Sequence, residues 1–367
     1  MKKILQIQPW IDNKEASYIK KIVSKTYLTE SFETKKLEKR FKKKFNSNYA
    51  IAISNWTNGL FISLKAFDIS KGDEVIVPNL TFIASINAVI MAGATPVICE
   101  IDEKNLSLDL NHLEKIITKK TKAVIPVHLY GHSCDMDKLR KITSKKKIKI
   151  IEDAAQSIGA KFKRKFLGSI GDIGGFSFYG NKIITTGEGG IILTNSLKLK
   201  NKMYKLKNHG RSKKGIFKHN SIGYNFMFTD LQAAIGNVQL DKLEKILKKK
   251  SMIYKNYKNQ LSNIKEISFI EALSKNTPVH WFSNIFLKDK KKLQKYLDKK
   301  NIQTRDMFYP IHLQPCYKDK NIIKLTKKNY FISEKIYKTG LSLPSSYNLT
   351  LNEQKYIINV IKNYFKK

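Results

Sequence analysis

The chain has 367 residues, 42% of them hydrophobic, and a formal net charge of +39. That is apolar material for a full core and length for two or three domains, or for one large domain with a smaller one attached, so disorder is not the default reading. Only Arg40, Arg140, Arg164, Arg211 and Arg305 among the 69 basic residues are arginine, and the lysines are spread along the chain, which fits a compositional habit better than a nucleic-acid surface built on bidentate arginine.

The segment up to Phe45 reads as helix, with apolar residues at three- and four-residue intervals over Glu15 to Lys25 and Thr34 to Phe45. Short apolar runs then alternate with helical stretches. The strands are Tyr49–Ser54, Glu74–Val77, Thr95–Glu100, Ala123–Val127 and Ile148–Glu152; between them lie helices at Gly59–Phe67, Ile83–Ala92, Asn111–Ile117 and Met136–Ser144. Such alternation predicts parallel strands with crossover helices, an α/β layered domain whose ligands sit at the carboxyl ends of the strands. After Gly171 the pattern changes to short strands, Phe176–Tyr179 and Ile191–Thr194, around a glycine-rich loop. A long helix starts near Thr229 or Asp230 and runs through Leu247. From residue 245 to 367 the chain reads as a smaller α+β domain, after a large domain over 1–244. It carries a strand at His280–Leu287 and helices at Lys290–Lys299 and Asn352–Phe365.

Cys99, Cys134 and Cys316 are far apart and odd in number, and the seven histidines show no ligand spacing, so neither a disulfide framework nor a metal site is expected. Met1 to Trp10 lacks the apolar stretch of a signal peptide, and no apolar run is long enough to span a bilayer. A cytoplasmic protein is expected.

Three clusters carry chemistry. In Gly174-Gly-Phe-Ser-Phe-Tyr-Gly-Asn-Lys182 one lysine stands among small and polar residues beside a turn. Partial desolvation there would lower its pKa and make it a nucleophile toward aldehydes, although a surface hairpin with a solvated lysine fits that segment equally. Asp153 follows the apolar strand Ile148–Glu152. A carboxylate there needs a partner, which a protonated pyridine nitrogen supplies; as an N-cap it would serve the next turn instead. Ser54-Asn-Trp-Thr57-Asn-Gly59 joins a strand to a helix, and N–H groups at a helix start suit phosphate, though any such turn uses these residues.

Together the clusters resemble the sugar aminotransferases of the DegT/DnrJ/EryC1/StrS type. Tyr27-Leu-Thr-Glu30, Val77-Pro-Asn-Leu-Thr-Phe82-Ile-Ala84, Gly93-Ala-Thr-Pro96, Pro126-Val-His128-Leu-Tyr-Gly131, Glu152-Asp-Ala-Ala-Gln156, Gly223-Tyr-Asn225, Leu231-Gln-Ala-Ala234 and Gln239-Leu240 carry the resemblance along nearly the whole chain, in the family's order. It implies fold type I of the enzymes that use pyridoxal 5'-phosphate (PLP). A mixed, mostly parallel seven-stranded sheet lies between helices, with a smaller α+β C-terminal domain. It further implies that Lys182 binds PLP as a Schiff base and, when released, moves the proton. Asp153 faces the pyridine nitrogen, Gln156 the ring hydroxyl, and Phe82 stacks on the ring. Thr57 and Ser177 hold the phosphate, and Asn225 reaches it across a homodimer with shared sites. The amino donor is L-glutamate and the acceptor a nucleotide-linked keto sugar.

Within the family, Phe178-Tyr-Gly-Asn-Lys182 and Thr304-Arg-Asp-Met-Phe-Tyr-Pro-Ile-His312-Leu-Gln-Pro315 are most similar to members that make perosamine from a GDP-linked 4-keto-6-deoxy sugar for a surface polysaccharide. Relatives act on dTDP- or UDP-linked sugars. Arg305, Tyr309, His312 and Arg211 are the candidate substrate contacts, with a packed loop as the plain reading of Arg305 and His312. A related 3-dehydratase would have His where Lys182 stands, and a non-catalytic PLP-binding regulator would lack Lys182 or Asp153. Two departures stand out. Trp56 replaces the family's usual Gly before Thr57 and would crowd the phosphate loop. Met227 replaces a frequent Arg two residues after Asn225 and removes a charge near the dimer interface.

Overall fold

The computed structural model describes residues 2–211, 215, 217–318 and 322–366. Two helices, α1 (Asn13–Val23) and α2 (Phe32–Lys44), precede the first strand, β1 (Tyr49–Ile53). The α/β alternation follows as α3 (Trp56–Ala66), β2 (Glu74–Pro78), α4 (Ala84–Met91), β3 (Thr95–Cys99), α5 (Leu110–Ile116), β4 (Thr121–Val124), α6 (Met136–Ser144) and β5 (Lys149–Asp153). These bounds lie within a few residues of the sequence reading, because each strand is an apolar run that the sheet buries on both faces. The short strands β6 (Lys161–Phe162) and β7 (Lys165–Phe166) come next, then β8 (Ile173–Ser177), β9 (Gly190–Thr194) and α7 (Leu197–Lys207).

The main sheet runs β1-β9-β8-β5-β4-β2-β3 and gains an eighth member at its edge, Lys324–Leu325, which pairs in parallel with β3. Only β9 opposes its neighbours; every other pairing in this sheet is parallel. The sheet is therefore mixed and mostly parallel, and β8 and β9 form its one hairpin. Its connection, residues 178–189, emerges at the carboxyl end of β8 together with the ends of β1, β2 and β5.

The helix α8 (Asp230–Leu261) runs unbroken through residue 245. At its start the buried carboxylate of Asp230 accepts from the Ser31, Glu33 and Thr34 N–H groups at 2.8, 3.1 and 3.0 Å, so it caps α2 from a distance. Towards its end Ile253, Tyr257 and Leu261 enter a second hydrophobic cluster. This cluster covers an antiparallel sheet of β11 (Ser283–Phe286), β14 (Gly340–Leu343) and β12 (Arg305–Asp306); β10 is the short strand Asn276–Thr277 and β13 the edge strand Lys324–Leu325. Helices α9 (Lys290–Lys299), α10 (Phe331–Thr339) and α11 (Leu351–Phe365) complete the C-terminal part. The amino-terminal segment packs there too: Ile4 bridges to Ile302 and is buried in the same cluster. Among the described residues no helix is long and apolar enough to cross a membrane.

Candidate active site

A cavity of about 260 Å³ opens at the carboxyl ends of β1, β2, β5 and β8. Eight of the residues singled out in the sequence line it: Trp56, Thr57, Phe82, Asp153, Gln156, Ser177, Lys182 and Arg305. Lys182 lies in the β8–β9 connection, its N–H bonded to the Tyr179 carbonyl at 2.9 Å. Its ammonium faces the ring of Trp281, 4.1 Å from the centroid. Burial pulls the Lys182 pKa down to about 8; Asp153 opposes that shift and Arg305 adds to it. An amine so tuned is partly neutral near neutral pH, as attack on an aldehyde requires.

Asp153 closes β5 and is 5% exposed. Its Oδ2 accepts from the Ser85 hydroxyl at 2.6 Å, and its Oδ1 accepts from the Trp56 indole N–H at 2.9 Å and the Ala155 N–H at 3.2 Å. The preceding Glu152 is wholly buried and fixes the strand end: its carboxylate accepts from the Gly168, Ile170 and Gly171 N–H groups at 2.8, 2.6 and 2.5 Å and lies 2.8 Å from His128 Nε2. Gln156 Oε1 accepts from the Tyr130 N–H at 2.9 Å. Phe82 presents a half-exposed ring to the cavity.

Thr57 lies in the first turn of α3, which Asn55 caps by accepting from the Asn58 N–H at 2.9 Å. A helix start flanked by the Thr57 and Ser177 hydroxyls suits a phosphate. The expected crowding by Trp56 is not found: its indole turns into the protein, 4% exposed, against Gly59 and Gly175. Acid, lysine, flat aromatic and phosphate-type donors in one cavity fit pyridoxal phosphate.

Four named residues lie elsewhere. Asn225 is exposed and bridges to Asn208. Arg211 donates to the Asn208 side chain at 3.0 Å. His312 is engaged at both ring nitrogens, by the Asn79 side chain at 2.9 Å and by Glu334 at 3.4 Å, and burial holds its pKa below the usual value. Tyr309 stacks edge-on against Tyr337 at 5.0 Å. Conversely, Trp281, Phe308 and Glu188 line the cavity without having been singled out. Glu188 stands within the glycine-rich loop and Phe308 within the Thr304–Pro315 motif, three residues after Arg305, whereas Trp281 arrives from the C-terminal part with no local pattern pointing to it. Among the described residues no cluster of His, Cys, Asp or Glu could hold a metal ion.

Residues 9–362 match the DegT/DnrJ/EryC1/StrS aminotransferase family. A GDP-perosamine synthase of Escherichia coli O157:H7 is 36% identical, covering 100% of this chain and 99% of its own. A dTDP-3-amino-3,6-dideoxy-alpha-D-galactopyranose transaminase of Aneurinibacillus thermoaerophilus is 36% identical, with 90% of each chain covered. Among solved structures, S. venezuelae DesV in complex with a ketimine intermediate superposes with a TM-score of 0.94 over 100% of both chains at 27% identity. The chain belongs to the DegT/DnrJ/EryC1/StrS aminotransferase family and is a pyridoxal-phosphate-dependent aminotransferase.

Proposed function

We propose that the enzyme transfers an amino group from L-glutamate to C4 of a nucleotide-linked 4-keto-6-deoxy sugar, with GDP-4-keto-6-deoxy-mannose giving GDP-perosamine as the favoured pair. The observation that carries this reading is the full-length likeness to a GDP-perosamine synthase. A dTDP-linked sugar is the second reading, supported by the equal identity of the dTDP-sugar transaminase. The product would serve a surface polysaccharide, and the work would take place in the cytoplasm.

In this reading Lys182 holds the cofactor covalently, and its freed amine then carries a proton to or from the substrate carbon. When bound, PLP supplies the electron sink for that proton transfer. Asp153 pairs with the pyridine nitrogen, Phe82 covers the ring, and Gln156 serves the ring hydroxyl. The Thr57 and Ser177 hydroxyls and the first turn of α3 hold the phosphate. Asn225, exposed and outside the cavity of its own chain, would complete the phosphate site of a second copy. Arg305, exposed at the cavity wall, would meet the anionic nucleotide.

Incubation with L-glutamate and GDP-, dTDP- and UDP-linked 4-keto-6-deoxy sugars, read by mass spectrometry, tests the proposal. An amino sugar formed fastest from the GDP substrate supports it. Preference for the dTDP substrate moves the enzyme to the second reading, and preference for the UDP substrate or no amino sugar from any of them overturns both.

A further inference from the structure

We propose that Trp56 is a positioning residue for Asp153, seated by Gly59 and Gly175, and that its indole N–H fixes the carboxylate in the orientation from which it meets the cofactor. The proposal rests on the pairing of Asp153 with the pyridine nitrogen.

Asp153 and Gly175 are register partners across β5 and β8, so their Cα positions share one face of the sheet. Gly175 leaves a gap beside the carboxylate, and the indole fills it. A Cβ at Gly175 would lie 2.2 Å from Trp56 Cζ3, 2.4 Å from Cη2 and 2.2 Å from the Ile191 carbonyl oxygen. One helical turn beyond Trp56, a Cβ at Gly59 would lie 2.5 Å from Cε3 and 2.8 Å from Cζ3. At Gly59 the ring alone leaves no room for a side chain, and at Gly175 the ring and the Ile191 carbonyl together leave none. The ring thus lies between a gap in the helix and a gap in the strand, and this seat aims Nε1 at Asp153 Oδ1 over 2.9 Å.

The three donors to Asp153 differ in kind. The Ser85 hydroxyl can rotate its proton away, and the Ala155 N–H reaches Oδ1 at the longer distance of 3.2 Å. The indole N–H has no such freedom. A carboxylate offers about four lone-pair sites, so three donors leave one for the ring nitrogen and hold the group against rotation. Deleting one hydrogen bond to a charged group corresponds to about a tenfold to hundredfold change in an equilibrium.

Trp56→Phe keeps an aromatic ring and deletes the N–H. The readouts are the pH titration of the visible absorption of the PLP-loaded enzyme and the kcat and KM of the L-glutamate half-reaction. The expected result is full cofactor occupancy, a displaced titration, and kcat lower by about tenfold to hundredfold with KM little changed. Gly59→Ala gives a second approach that keeps every hydrogen-bonding group. Alanine favours the helix, so a loss arises from the displaced ring. It should lower kcat in the native chain and add no further loss to Trp56→Ala. Asp153→Asn separates the two layers. If Asp153→Asn is crippled while Trp56→Phe and Gly59→Ala match the native protein in titration and kcat, the role of Trp56 is overturned and that of Asp153 stands. If Asp153→Asn itself matches the native protein, the pairing reading fails and the Trp56 proposal falls with it.

Discussion

The Lys182 ammonium lies 4.1 Å from the centroid of the Trp281 ring, and the Trp281 indole N–H donates to the Asn181 carbonyl at 2.8 Å. One aromatic side chain from the C-terminal part thereby faces the lysine and holds the turn that carries it. The ring helps exclude water from the amine, whose pKa burial has lowered from 10.5 to about 8.

Only the neutral amine attacks the aldehyde, and its share grows as pH rises through the pKa. Covalent capture of pyridoxal phosphate by the apoprotein should therefore rise with pH around a midpoint near 8. Stopped-flow absorbance at a series of pH values measures it. A midpoint near 10.5 would mean a solvated lysine.

Asp153→Asn keeps the size of the side chain and removes its charge. The fold should survive, with the circular dichroism spectrum unchanged. The rate of transamination should fall at least about a hundredfold, since the ring nitrogen loses its anionic partner. Near-normal turnover would reduce Asp153 to a cap.

Glu152→Gln should behave in the opposite way, as a stability defect. The native carboxylate accepts from three backbone N–H groups and lies against His128 without exposure to water. An amide places a donor among those donors, so the cost should be about 3 kcal/mol. Calorimetry should show a melting temperature lower by several degrees, whereas Asp153→Asn should melt close to the native protein.

Shared sites in a dimer can be tested by complementation. Lys182→Ala and Asn225→Ala chains should each be inactive alone. A mixed dimer has one site with both lesions and one with neither, so mixing after subunit exchange should restore activity. A dead mixture with proven exchange, or a fully active monomer in sedimentation, would contradict shared sites.

The large sheet is legible in the sequence because each parallel strand is a continuous apolar run and each crossover helix shows its own period. Ile173–Ser177 is less so: the sequence reading runs this strand over Phe176–Tyr179, whereas β8 starts at Ile173 and takes in Gly174 and Gly175, the latter packed against Trp56 and the Ile191 carbonyl. The inward turn of Trp56 depends on a strand more than a hundred positions away, which no local pattern encodes. The two-residue strands at Lys161, Lys165, Asn276, Arg305 and Lys324 are too short to carry a period. The clusters around Thr57, Phe82, Asp153 and Lys182 line one cavity because each follows the end of a strand in one sheet. Arg211 and His312, named as candidate substrate contacts, lie outside that cavity, where Asn208, Asn79 and Glu334 hold them.

Borohydride reduction of the holoenzyme, followed by digestion and mass spectrometry, tests the central claim most directly. Reduction freezes the cofactor on whichever lysine holds it, and this chain has lysines throughout its length. The account predicts a single pyridoxyl label, on the peptide containing Lys182, and none in Lys182→Ala. A label on any other lysine of the native protein, or cofactor that stays bound and colours the protein without being fixed by reduction, would contradict it.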